Sequence, residues 1–99
     1  MKLILAIVNN EDAPRVQDAL TRAGFFITRL STTGGFLMMG NTTFLIGTDE
    51  VRVPMAMGLL RQHCTSRVKE DVGPLQNSKP VTVGGATVFV LDVDHMEKF

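Results

Sequence analysis

The sequence predicts an α+β sandwich with its elements in the order β-α-β-β-α-β. Three observations carry that expectation. Residues 3–8 and 86–93 are apolar runs near the two ends of the chain, and both read as buried strands. Two stretches between them space their apolar residues at helical intervals. Between those helices lie two β-prone segments, residues 25–31 and 42–47. This is the ferredoxin-like arrangement, a four-stranded sheet covered on one face by two helices.

Each element has a local reason. Turn residues Asn9 and Asn10 end the first strand abruptly. Residues 9–14 then hold helix-start signals: Asn10 or Asp12 as cap, acids for the first turn, and Pro14 where its missing N–H costs little. Val16, Leu20 and Ala23 share one helical face, and Gly24 is the expected C-terminal stop. Asp49 and Glu50 open the second helix. Its core stripe is Val53, Ala56, Met57, Leu60 and Cys64. Pro54 fits only in a first turn, so that helix is expected to begin after its acids. Residues 65–80 show no periodicity and read as a long loop, of the kind that is functional or mobile. Residues 81–83 read as a weak pairing at a sheet edge, and residues 94–99 as a short mixed tail.

Both faces of the sheet are apolar. Leu3, Leu5 and Ile7 alternate with Ile4, Ala6 and Val8, and Val88 and Val90 alternate with Phe89 and Leu91. Two helices cover only one sheet face. Large exposed apolar patches mark interfaces, so the second face is expected to meet other subunits. The sequence therefore predicts a homo-oligomer whose sheets face inward.

The bulk composition narrows the function. A chain of 99 residues makes one domain, residues 1–99. Its formal net charge of zero argues against a nucleic-acid polymer as partner, because such binding draws on many Lys and Arg contacts to phosphates. A small phosphate-bearing ligand held by backbone N–H groups stays open. The single cysteine, Cys64, allows no internal disulfide. Residues 1–8 are too short for a secretory or membrane segment, so a cytoplasmic protein without membrane association is expected.

No acid–base or metal constellation emerges, and no enzyme is predicted. His63 and Cys64 are neighbours, but successive residues on a helix point about 100° apart. They read as a surface histidine and a core thiol, and His95 as a solvated tail residue. No Cys or His cluster has zinc spacing. The acids read as caps and surface charges. Gly84 and Gly85 most simply relieve backbone crowding or form a bulge before the last strand.

Residues 31–47 are harder to explain as scaffold. A plain hairpin needs about two to five connecting residues. This connector is longer and carries Gly34, Gly35, Phe36, Leu37 and Asn41. One reading is a long hairpin whose glycines take positive φ and whose Phe36 folds back on the core. The other is a nucleotide site. Consecutive N–H groups around Gly34 and Gly35 form an anion nest, Phe36 stacks on a base, and the Asn41 amide donates to and accepts from an adenine edge. Thr28, with strand-mates Phe26 and Leu30, is a polar spot on an apolar face close to that connector.

The stretch Thr-Gly-Gly-Phe-Leu, the run Gly-Asn-Thr-Thr-Phe-Leu-Ile-Gly, the start Met-Lys-Leu-Ile-Leu-Ala-Ile-Val and the run Val83 to Leu91 together resemble the PII-like cyclic di-AMP receptors known as PstA or YaaQ. The resemblance spans the chain apart from residues 65–82. It implies a PII-like homotrimer with dinucleotide sites at the subunit junctions. It also implies a mobile loop before the last strand that responds to ligand and so changes an interaction with a protein partner that the sequence does not identify. Carried over by position, the ligand-binding residues are Thr28, Gly35, Phe36, Leu37, Asn41, Gly47 and Phe89, the last from a neighbouring subunit. Phe36 and Leu37 border an adenine, Asn41 and Thr28 bond to it, Gly35 and Gly47 admit the backbone closely, and Phe89 adds an apolar wall. No cofactor is implied beyond the ligand.

This chain departs from that pattern at three places. Gly24 and Phe26 stand where members of the family carry polar or basic side chains, and Lys98 where a Gln is familiar. The 65–82 segment is shorter and lacks a glycine-rich stretch. Each lost hydrogen bond removes about 0.5–1.5 kcal/mol. Lys98 can restore part of this by pairing with a phosphate, and Phe26 by stacking. The expected function is a non-enzymatic signal receptor for cyclic di-AMP. The alternative is a PII-like sensor of the same fold that recognises another adenine nucleotide.

Overall fold

A computed structural model of the chain describes residues 1–30, 40–64, 67–70, 80–83 and 85–99. Strand β1 (Lys2–Asn9) leads into helix α1 (Ala13–Arg22), then strands β2 (Phe26–Leu30) and β3 (Asn41–Thr48). A 3-10 turn (Glu50–Arg52) precedes helix α2 (Val53–His63), followed by β4 (Arg67–Glu70), β5 (Pro80–Val83) and β6 (Ala86–Asp92). The main sheet runs β2-β3-β1-β6, with every neighbouring pair antiparallel. That order is the ferredoxin-like sheet predicted from the sequence.

The prolines and Gly24 act as expected, but the capping does not: Asp12 and Arg52 stand at the two N-cap positions without a side-chain capping hydrogen bond, and the Asp12 carboxylate accepts from Arg15. Asp12 is the N-cap of α1 and Pro14 sits in the first turn, but the acids precede that turn instead of lying within it. At the other end the Gly24 N–H donates to the Thr21 carbonyl and the Phe25 N–H to the Leu20 carbonyl, both at 3.0 Å. This is a Schellman closure, and it places Gly24 at φ +89°, a region costly for any residue with a Cβ. The α2 acids fall in the 3-10 turn, and the α-helix proper begins at Val53 with Pro54 in its first turn.

The core lies between the helices and one face of the sheet. Ile4, Ala6 and Val8 of β1 and Phe44 and Ile46 of β3 meet Val16 and Leu20 of α1 and Ala56 and Leu60 of α2. Each large apolar side chain buried there contributes about 1.5–3 kcal/mol. Cys64 is half-buried against this core, and His63 is also half-buried, so the histidine is less exposed than expected.

The segment from residue 65 to 83 corrects the sequence reading. Residues 67–70 are not loop. They pair antiparallel with residues 80–83 in a two-stranded ladder separate from the main sheet, Arg67 opposite Val83 and Glu70 opposite Pro80. The weak edge pairing expected for residues 81–83 is thus made with β4. The β-branched run at 81–83 was the visible half of this ladder. Its partner, Arg-Val-Lys-Glu, has one apolar residue in four and no strand signature. The remainder of the expected loop, 71–79, and Gly84 lie outside the described residues, as do residues 31–39.

Candidate functional site

Strand register arranges the helix-free face of the sheet into transverse rows. One row is Phe26, Gly47, Leu3 and Leu91; the next is Thr28, Leu45, Leu5 and Phe89. Leu3 and Leu5 are half-buried, whereas Phe26, Phe89 and Leu91 are exposed, at 89%, 51% and 46%. These rows are therefore mainly apolar, as the alternation in β1 and β6 predicted, with Thr28 as the polar side chain at the β2 edge and Thr43 and Thr87 in the next row.

A hollow of about 540 Å³ opens at the Phe26 end of this face. Its walls include Leu3, Phe26, Thr28, Leu45, Gly47, Met96 and Lys98. Ligand sites typically fall between about 300 and 1,000 Å³. Two expected site residues, Thr28 and Gly47, come together here with two of the departures, Phe26 and Lys98. The C-terminal segment reaches the hollow because the Val93 N–H donates to the Met1 carbonyl at 3.2 Å, carrying the chain past the end of β6 and alongside the start of β1. Lys2 also lines the hollow, and its ammonium is engaged by Asp92, its register partner on β6. The hydrogen bond from Lys2 lowers the Asp92 carboxyl below its ordinary pKa, and Asp92 raises Lys2 above its own.

A smaller hollow, about 200 Å³, shares Phe26 and Gly47 with the first and adds Gly24, Phe25 and Arg52. Arg52 stacks 4.1 Å over the Phe25 ring and donates through Nη2 to the Ala23 carbonyl at 2.7 Å. It thereby ties the α1–β2 corner to the start of α2. No local pattern marks Arg52 in the sequence, because its partners lie 27 and 29 positions away; of the tail residues lining the larger hollow, Lys98 is singled out through the resemblance, whereas Val93 and Met96 are not.

The other expected site residues stand apart. Asn41 opens β3 and pairs with Asn9, whereas Gly47 pairs with Leu3. Six residues along a strand separate them by about 20 Å. Asn41 lies instead at the root of the 31–40 connector. That root is held by Asn10, whose N–H donates to the Gly40 carbonyl at 2.8 Å and whose Oδ1 accepts from the Thr42 hydroxyl at 2.5 Å. Phe89 occupies the Thr28 row on the opposite edge strand. Gly35, Phe36 and Leu37 lie outside the described residues.

His95 sits 3.4 Å from Glu97, with both side chains largely in solvent. Among the described residues no group of three or more His, Cys, Asp or Glu side chains is placed to hold a metal ion, and no helix is long and apolar enough to cross a membrane.

The chain is thus a small α+β domain with a largely apolar open sheet face and a hollow at its edge. The cyclic-di-AMP receptor family model matches residues 1–99, and the chain belongs to that family. Among solved structures it is similar to a functionally unknown protein from Pediococcus pentosaceus ATCC 25745. The two are 43% identical, with a TM-score of 0.74, over 99% of this chain and 96% of that one.

Proposed function

We propose that this chain is a non-enzymatic signal receptor that binds cyclic di-AMP at the subunit junctions of a homotrimer. Membership of the cyclic-di-AMP receptor family along the whole chain is the observation that carries this reading. The sheet geometry supports the junction. Thr28 and Phe89 stand on opposite edges of one face, about 14 Å apart across three strand spacings. A ligand touching both at once is most simply held between two subunits, with Phe89 delivered by the neighbour. The apolar open face supplies the surface for that association.

In this reading Phe36 and Leu37 border one adenine and Asn41 bonds to its edge. Gly35 and Gly47 let the backbone approach, and Thr28 bonds within the hollow. The segment at residues 65–80 follows the ligand and carries the signal to a protein partner in the cytoplasm. No step of bond making or breaking is assigned to any side chain.

Calorimetric titration with cyclic di-AMP tests the proposal. One site per subunit is expected, because threefold symmetry repeats a junctional pocket three times. Phe36→Ala and Asn41→Ala should each weaken binding. Unchanged binding in both variants would remove the 31–41 connector from the site.

A further inference from the structure

We infer that Asn10 is a positioning residue for Asn41: it holds the chain on both sides of Asn41 and so sets where that amide meets a ligand. The inference rests on the receptor reading above, in which Asn41 bonds to an adenine edge.

The sequence offers Asn10 or Asp12 as the cap of α1, and Asp12 takes that place. Asn10 turns instead to the far end of the connector. Its N–H donates to the Gly40 carbonyl at 2.8 Å, and its Oδ1 accepts from the Thr42 hydroxyl at 2.5 Å. One residue thus bonds to both chain neighbours of Asn41.

Those two bonds matter because other supports are few at this end of β3. Among the described residues, the pairing of β3 with β2 ends at Leu30 and Thr43, so Asn41 and Thr42 lie beyond it. The register with β1 reaches Asn9 and Asn41, and Asn10 extends it by one rung. Gly40 takes φ +90°, and a Cβ built there would find nothing within 4 Å among the described residues. Side-chain packing therefore does not set the entry into Asn41. Asn10 itself is anchored by the β1–α1 corner. The Glu11 N–H donates to Asn9 Oδ1 and the Asp12 N–H to the Asn9 carbonyl, both at 2.9 Å. The anchor is in place before a ligand arrives, as preorganisation of a binding group requires.

Asn10 and Asn41 serve opposite sides of the sheet. Successive residues of a strand face opposite ways. Thr42 is buried on the face that carries Phe44 and Ile46 into the core. Asn41 alternates onto the open face, with Leu45 and Gly47. Asn10 therefore grips β3 from the helix-covered side, whereas a ligand on Asn41 lies on the open side. A hydrogen bond weakens steeply as its angle departs from linear, so a shift in the Asn41 backbone is felt at the ligand.

The test titrates the protein with cyclic di-AMP, at a temperature where circular dichroism shows every variant folded. Asn10→Ala should weaken binding by about 3- to 10-fold, the worth of one hydrogen bond. Thr42→Val removes the same bond from the other partner and should give a similar loss. Asn10→Asp keeps an acceptor for the Thr42 hydroxyl and should stay within about twofold of wild type. In the Asn41→Ala background, Asn10→Ala should cost less than about a further twofold, because a residue that acts through Asn41 has nothing left to position. A folded Asn10→Ala protein with wild-type affinity overturns the inference and leaves the receptor reading standing. So do an Asn10→Asp protein as weak as Asn10→Ala, an Asn41→Ala protein that binds like wild type, and losses at Asn10 and Asn41 that simply multiply. A wild-type protein that does not bind cyclic di-AMP overturns both.

Discussion

Thr28 and Phe89 share one transverse row of the open sheet face and stand on its opposite edges, joined through Leu45 and Leu5. Phe89 is half exposed in the isolated chain although it belongs to the strand that pairs with the central β1. The proposed assembly covers it. Phe89→Glu places a charge in that contact, and burying an unpaired charge is costly. The variant should keep its far-ultraviolet circular dichroism, because Phe89 is outside the core, but elute as a smaller species in light-scattering chromatography. It should also lose cyclic di-AMP binding. A Phe89→Glu protein of unchanged mass and affinity would place the interface elsewhere.

Gly24 is set by backbone geometry as the residue that closes α1. At φ +89° a Cβ is strained even where space allows, and here the nearest atom, Arg52 Nη2, is an ordinary 3.8 Å away. Gly24→Ala should therefore lower unfolding stability by about 1–2 kcal/mol, and Gly24→Asn by less, because Asn tolerates this region. Urea denaturation measures both. An unshifted midpoint in Gly24→Ala would show that the closure is not as described.

The root of the connector rests on Asn10. Thr42 is 5% exposed, so removing its acceptor strands a buried hydroxyl. Asn10→Ala should cost about 1–3 kcal/mol. Thr42→Val alone and the double variant should show a coupling energy, since removing both partners costs less than the sum of the single losses. The Asn10 N–H bond to Gly40 survives in Asn10→Ala. Additive losses would mean that the Asn10–Thr42 bond contributes nothing.

Lys2 and Asp92 make stability pH-dependent at both extremes. Asp92 is depressed in the folded chain, so its contribution is present above the ordinary carboxylate value of 3.8 and is lost as pH falls below it. Lys2 is raised, so its contribution is present below 10.5 and is lost as pH climbs through its elevated value. Asp92→Asn should match wild type at the acid end and lose the pair's small contribution near neutrality, so its acid limb is slightly shallower, the small size being expected of a solvent-exposed pair. A variant whose acid limb matches wild type would assign that limb to other carboxylates.

Local physics accounts for how much of this architecture could be read in advance. The alternation at residues 3–8 and 86–93 announced strands with two apolar faces, and register shows those faces as continuous rows. Pro54 correctly delayed α2, because a proline N is harmless only where no N–H is needed. Thr28 could be placed on the open face by period two alone. What escaped was long-range. The tail reaches the hollow through a single backbone bond to Met1, and Arg52 finds Phe25 across the fold. Neither leaves a periodic trace. The β4 strand escaped because it is almost wholly polar, so its pairing with β5 is not announced by hydrophobic pattern. The distance between Asn41 and Gly47 also follows from pairing, which sets them at opposite ends of β3.

The central claim is a junctional receptor, and titration calorimetry with cyclic di-AMP on protein of mass measured by light scattering tests it most directly. The account predicts a trimer that takes up one dinucleotide per subunit and gains about 2.7 kcal/mol of stability at ligand concentrations 100 times the Kd. A monomer, or a trimer that gives no heat of binding and no thermal shift with high-micromolar ligand, would contradict it.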